Sequence, residues 1–263
     1  MRILFLGDVV GRSGRDAVCD ALPGLRQRLR LDCVVVNGEN ASHGFGLAPE
    51  MARAMFAAGA DAITLGNHAF DRKEIIPFLE QEPRVIRPLN YPPGTPGKGA
   101  VVVEVPGNRR VLVLQAMGRL FMEPLDDPFR AVQAELAKHR MGKDGTVQAI
   151  VLDVHAEATS EKQAFGHSFD GHVSLVVGTH THVPTADHRV LDGGTAYCTD
   201  AGMCGDYDSV IGMQKGGASL RFWRKVPAER LAPADGPATL SGVFVETDDA
   251  TGLAVRCLPL RMG

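Results

Sequence analysis

The sequence predicts an α/β protein with helices packed outside two sheets. Three observations carry this. The runs Ile3-Leu4-Phe5-Leu6, Val34-Val35-Val36, Ala62-Ile63-Thr64-Leu65, Ala149-Ile150-Val151-Leu152 and Leu175-Val176-Val177 are short, apolar and closed by Gly or a polar residue, as buried strands are. Helical stretches separate the first three runs, and that βαβαβ order implies right-handed crossovers and a largely parallel sheet. A hairpin signal, Pro106-Gly107-Asn108, then joins runs at 100–105 and 110–116, which points to a second, partly antiparallel sheet.

The elements follow in order. Residues 2–7 read as the first strand and Gly11-Arg12-Ser13-Gly14 as a turn. A helix comes next, with Val18, Leu22 and Leu25 on one stripe, and Pro23-Gly24 is expected to kink or interrupt it. Strand two is expected at 32–37. Ala48-Pro49-Glu50 opens a helix, with Pro in the first turn where its missing N–H costs nothing, and that helix ends near Gly59. Strand three spans 61–65. The Pro- and Gly-rich stretch 83–98 reads as loop. After the hairpin come a helix over 127–139, a strand over 147–153 and a helix from about residue 159. Short strands dominate after residue 190, with two more near 239–247 and 252–259.

At 263 residues the chain can bury a substantial core, and without a linker, low-complexity run or fixed-period repeat it is expected to form a single domain over 1–263. Hydrophobic content of 44% and charged content of 22% place it among soluble globular proteins. A net charge of −3 with no long basic stretch argues against extended nucleic-acid binding. Arg26 and Arg30, at helical spacing, read as a solvated helix face. The cysteines Cys19, Cys33, Cys198, Cys204 and Cys257 are odd in number and form no Cys-x-x-Cys pair, against a disulfide framework or a zinc knuckle. Cys19 and Cys33 are expected in the core. No run reaches the length of a membrane span, and the apolar start is too short for a signal peptide, so a cytoplasmic location is expected.

The chemistry lies in five polar clusters, each placed just after an apolar run. They are Gly7-Asp8, Asn37-Gly38-Glu39-Asn40, Gly66-Asn67-His68, Asp153-Val154-His155 and Gly178-Thr179-His180-Thr181-His182. Ligands of open α/β sheets bind beyond the carboxyl ends of the strands, so these clusters bring Asp, Glu, Asn and His to one edge of one sheet. Singly, Asp8 reads equally well as a helix cap, Glu39-Asn40 as a turn and His155 as a satisfied buried histidine. Together they read as a two-metal site with Asp8, Glu39, Asn40, Asn67, His155, His180 and His182 as candidate ligands. His180 and His182 are separated by one residue and point the same way on an extended segment. Three imidazoles with carboxylate and amide oxygens suit two divalent metal ions of the iron or manganese kind, with zinc also accommodated, better than magnesium or calcium. Two dications, two carboxylates and a bridging hydroxide leave a net charge of about +1, a site suited to a singly charged phosphate ester.

At these residues the chain resembles the calcineurin-like metallophosphoesterases, and more closely their bacterial YmdB-like phosphodiesterase branch. The resemblance rests on Gly7-Asp8-Val9-Val10-Gly11, Asn37-Gly38-Glu39-Asn40-Ala41, Gly66-Asn67-His68 with Asp71, and the run His155 to Lys162. It continues through Gly178-Thr179-His180-Thr181-His182, Thr185-Ala186-Asp187 and Thr199 to Met203. It implies a four-layer α/β/β/α sandwich with two mixed sheets and a binuclear centre bridged by Glu39. Asp8 and His182 would hold one cation, with Asn40 as the candidate that completes it, and Asn67, His155 and His180 the other. It implies His68 as general acid, with Asp71 orienting it; the alternative is a His68 that only hydrogen-bonds substrate. The chain departs from the superfamily pattern in three places: Val10 replaces a histidine, Glu39 an aspartate, and Thr179 is extra.

The implied function is hydrolysis of phosphodiester bonds in a small-molecule substrate, 2′,3′- and secondarily 3′,5′-cyclic nucleotides, by a hydroxide held between the metals. The alternatives are a phosphomonoesterase or nucleotidase of the same fold, for which Arg12 and Lys162 would supply extra charge, and a non-catalytic nucleotide-sensing regulator of RNA processing. Weaker expectations attach to neighbouring residues. Arg87, Asn90 and Tyr91 are pocket candidates, His43 reads as a solvated loop residue, and Thr159, Ser160 and Lys162 as the capped start of a helix. Asp200 is expected to hydrogen-bond a ligand histidine. A homo-oligomer is consistent with the class.

Overall fold

A computed structural model of the protein describes residues 1–224 and 230–263. The first sheet contains β1 (Arg2–Leu6), β2 (Asp8–Val9), β3 (Cys33–Asn37), β4 (Ala62–Thr64), β5 (Val85–Ile86), β12 (Met203–Asp206), β13 (Ala238–Thr247) and β14 (Ala254–Met262). The second contains β6 (Ala100–Val105), β7 (Arg109–Met117), β8 (Ala149–His155), β9 (Leu175–Thr179), β10 (Arg189–Val190) and β11 (Ala196–Cys198). Both are mixed. β1 runs parallel to β3 and antiparallel to β13; β7, β8 and β9 run parallel, with β6 antiparallel at their edge.

Alternation along the strands builds the layers. Leu4 and Leu6 face outward, where Val34, Val36 and Ile63 join Val18, Leu22 and Leu25 of α1 (Gly11–Leu29) and Met55 of α2 (Pro49–Ala58). Ile3 and Phe5 face inward onto Val111, Val113, Val151 and Leu175 of the other sheet. The far face of that sheet, Leu112, Leu114, Ile150 and Leu152, packs on Val132 of α4 (Pro128–Leu136) and Phe165 of α5 (Thr159–Ser168). Three apolar seams between helices, sheet, sheet and helices make the expected four-layer α/β/β/α sandwich.

Several local expectations are corrected. The turn foreseen at Gly11–Gly14 is the first turn of α1, and Pro23 does not interrupt that helix. The Pro23 ring is exposed, while buried Leu22 and Leu25 pin the turns around it. The strand foreseen at 147–153 lies two residues later, so His155 is the last residue of β8. The loop at 83–98 contains β5. Two further helices, α3 (Ile75–Gln81) and α6 (Lys215–Arg224), have no counterpart in the sequence reading. Among the described residues all five cysteines are free; Cys33 is buried and Cys19 half-buried. No helix among those residues is long and apolar enough to cross a membrane.

Candidate metal centre

The polar clusters converge, although from both sheets. Asp8 begins β2, and Glu39, Asn40 and Asn67 follow β3 and β4 of the first sheet. His155 ends β8, and His180 and His182 follow β9 of the second. The edge foreseen on one sheet is therefore a seam between two. Glu39, His155 and His180 place ligand atoms within 4.8 Å of one another, and so do Asp8, Glu39 and His182. Glu39 is common to both groups. Gly66 makes room for it, since a Cβ there would overlap the Glu39 carboxylate and the His155 ring.

Hydrogen bonds fix which imidazole nitrogens face the centre. Asp153, buried in β8, accepts from Thr64 Oγ1 (2.6 Å), Gln115 Nε2 (2.8 Å), Asn37 Nδ2 (3.3 Å) and Thr179 Oγ1 (2.7 Å). The Thr179 hydroxyl has given its proton to Asp153, so it accepts from His155 Nδ1 at 2.9 Å. That turns His155 Nε2 inward, 2.8 Å from Asn67 Oδ1 and 3.1 Å from both Glu39 Oε1 and His180 Nδ1. His182 Nδ1 donates to the Ile211 carbonyl at 2.8 Å and leaves Nε2 toward Asp8. His180 Nε2 lies 3.2 Å from Glu157, which leaves Nδ1 for the centre. Each histidine thus has one nitrogen occupied by an outside partner and the other directed inward, the pattern of metal ligands.

The electrostatics agree. Burial alone would raise Glu39 and lower His155, but their mutual attraction prevails, taking the carboxyl down to about 2 and the imidazole up to about 9. Between Glu39 and His155 a proton then stands where a cation would. Burial takes Asp8 up to about 7 against the pull of His182 and His155. Burial and the neighbouring His155 take His180 down to about 3, neutral and able to donate a lone pair.

Asn40 supplies an independent test of fit. Its Nδ2 donates to Gly44 at 3.1 Å, while its Oδ1 is buried without any hydrogen-bond partner. An orphaned buried amide oxygen, on a residue that lines the same cavity as Glu39, is costly unless a cation meets it. The donor set of nitrogen, carboxylate and amide oxygen fits divalent cations. Val10 is buried against Gly212, so no imidazole enters from that position. The extra Thr179 is the hydroxyl that orients His155.

His68 stands apart from both donor groups. Its Nδ1 lies 2.8 Å from Asp71 Oδ2, its ring meets Phe45 edge-on at 5.1 Å, and it lines the cavity over the centre. Other expectations change. Asp200 bonds no ligand histidine; it accepts from Thr181 N (3.2 Å) and Oγ1 (2.7 Å), between the two histidines, and from buried Lys162 at 2.7 Å. Arg12 pairs with Asp235, so neither Lys162 nor Arg12 is free for substrate. Arg87 spends its guanidinium on the carbonyls of Pro88, Thr95, Pro96 and Gly97, and Asn90 bonds Met117 and Asp126. Tyr91 packs on Phe70. Arg87, Asn90 and Tyr91 are absent from the lining of the cavity over the centre, and α5, with Ala158 at its N-cap, has no side-chain cap. The sequence reading missed the roles of Asp153, Thr179, Glu157 and the Ile211 carbonyl. For Asp153 a signal existed, since it lies two residues before His155 on the same strand face.

Comparison with known proteins coincides with this geometry. A family model described as YmdB-like protein matches residues 4–260. A 2′,3′-cyclic-nucleotide 2′-phosphodiesterase of Bacillus subtilis (strain 168) is 48% identical over 259 residues, 97% of this chain and 95% of that protein. A solved structure of a hypothetical protein from Thermus thermophilus is similar with a TM-score of 0.91 at 45% identity, covering 100% of this chain and 99% of that one. A Mycoplasma pneumoniae structure described as a novel phosphatase gives a TM-score of 0.90 at 34% identity, covering 100% and 93%. Similarity of this extent embraces both sheets and all the converging donors: the chain belongs to the YmdB-like family.

Proposed function

We propose that the protein is a two-metal phosphodiesterase acting on nucleoside 2′,3′-cyclic phosphates, with 3′,5′-cyclic nucleotides as secondary substrates. The observation that carries it is the carboxylate of Glu39, shared by two donor groups beside a histidine that belongs to neither. In this reading Glu39 bridges. Asp8, Asn40 and His182 hold one cation, and Asn67, His155 and His180 the other. A divalent pair, iron or manganese by the donor chemistry, supplies when bound a water-derived nucleophile at neutral pH and charge neutralisation for the phosphoryl oxygens.

The remaining work falls to the chain. Asp71 accepts from His68 Nδ1 and holds the ring so that Nε2 delivers a proton to the departing ribose oxygen. The name of the Bacillus subtilis relative supports the cyclic diester. A dianionic monoester would call for cationic side chains: Arg12 and Lys162 are paired with Asp235 and Asp200, which leaves Arg221 of the cavity lining for that role.

Protein reconstituted anaerobically with iron(II) or manganese should hydrolyse 2′,3′-cyclic AMP, and Glu39→Ala should not. His68→Ala should lower turnover by about 10²–10⁴-fold with metal content intact; loss of both together would remove His68 from the acid role. Tight nucleotide binding without turnover by a verified two-metal sample would favour a sensing role instead.

A further inference from the structure

The turn that holds His182 carries a strain that folding does not explain. Val210 and Met213 exchange backbone hydrogen bonds of 2.9 Å each, and the two residues between them, Ile211 and Gly212, have φ of +46° and +91°. Positive φ at both central positions marks a type I′ turn, where Asn, Asp and Gly are favoured and a β-branched residue is an outlier. Such strain persists where surroundings over-determine it, and it collects at functional sites. The side chain obtained at this cost is not used in the core: Ile211 is 52% exposed.

Ile211 borders a cavity of about 250 Å³ that opens over Glu39, His68, His180 and His182. Away from the metal donors the wall is mostly apolar, with Phe45, Ile211, Met213 and Phe222, and Arg221 is its one charged side chain. Phe222 is 78% exposed on α6. An exposed aromatic and a strained aliphatic thus frame a slot continuous with the phosphate-binding end.

We propose that Ile211 and Phe222 form the base subsite, sandwiching the heterocyclic base of a nucleoside cyclic phosphate whose diester lies on the metal centre. This rests on the diesterase reading and adds the group that makes the substrate a nucleotide. Base–aromatic stacking needs no particular hydrogen-bond pattern, because every base has a π-face. A wall so poor in polar groups therefore selects for a base without choosing strongly among bases.

The test compares 2′,3′-cyclic AMP with glycerol 1,2-cyclic phosphate, the same kind of strained diester without a base, on the metal-loaded protein. For Ile211→Asn and for Phe222→Ala, the ratio of kcat/KM for the nucleotide to that for the base-free diester should fall by about tenfold or more, on the scale of one base–aromatic stack. Asn suits the positive φ, so Ile211→Asn should melt no lower than the parent while losing nucleotide preference, which a purely structural residue would not do. Trp223→Ala, which removes an 87%-exposed neighbour outside the cavity wall, should leave the ratio unchanged. An unchanged ratio in both wall variants, an equal loss on both substrates, or a shifted oligomeric state in place of a shifted ratio overturns the subsite. If the parent turns over neither compound, the diesterase reading fails. The subsite is then judged by titrating both compounds into the same proteins: it stands if the two wall variants weaken only the nucleotide and falls if they do not.

Discussion

Glu39 and His155 show how a metal-free centre holds itself together. The proton they share keeps the pair charged and bonded, with the imidazole up at about 9 against an ordinary 6.5. The raised histidine and the lowered carboxyl together mean that the pair's stabilisation is fully present between about 4.5 and 6.5, is lost as pH rises through about 9, and is lost again as pH falls through about 2. Asp8, raised to about 7, adds the same sign, favouring the metal-free fold on the acid side. The metal-free protein should therefore melt lower at pH 9 than at pH 7. Metal must displace these protons, so its affinity should increase with pH toward about 9, and uptake at pH 6.5 should release between about one and two protons from His155 and Asp8, with a further one where a bound water becomes hydroxide. Calorimetry in buffers of differing ionisation enthalpy would count them; uptake without proton release would deny His155 a ligand role. The candidate ligands were legible as candidates because each polar cluster follows an apolar run. Their orientation was not, since the Thr179–Asp153 and Ile211 contacts join residues 26 and 29 positions apart.

At the scale of elements, the loop after β9 places two histidines with φ of +94° and +66°, a strained arrangement for non-glycine residues. Asp200 restrains it, gripping Thr181 between them, and Lys162 from α5 neutralises Asp200 with both side chains about 1% exposed. Removing one member of a buried pair costs about 3–5 kcal/mol. Lys162→Met should accordingly lower the melting temperature by roughly 10 °C, at a few degrees per kcal/mol, and adding Asp200→Asn should recover part of it. No recovery would mean that the lysine acts through packing alone. Most strands and α2 were readable from period and closing residues. By contrast α6 was not, because it buries only Ala218 and lacks the apolar stripe by which a helix is recognised.

At the scale of the molecule, the donors divide between the sheets: Asp8, Glu39, Asn40 and Asn67 on one side, His155, His180 and His182 on the other. A cation bound by both sides closes the mouth of the sandwich. It should stabilise the fold by about 2.7 kcal/mol at a hundredfold excess over Kd, or several degrees for a chain of this size. Thermal melts with and without chelator would show it, and coincident curves would place the donors too far apart to share an ion. The four-layer plan was legible from the helix–strand order and the central hairpin. The division of the donors was not, because a run of valines reads alike in either sheet.

The place of β13 has a consequence for the order of events during synthesis. β1 is made long before one of its two partners, residues 242–246. Until then Ile3 to Leu6 present an open hydrogen-bonding edge beside a half-built inter-sheet core, a hazard for mispairing. A nascent chain stopped before Ala238 would hold all the candidate metal ligands and still leave that edge unsealed.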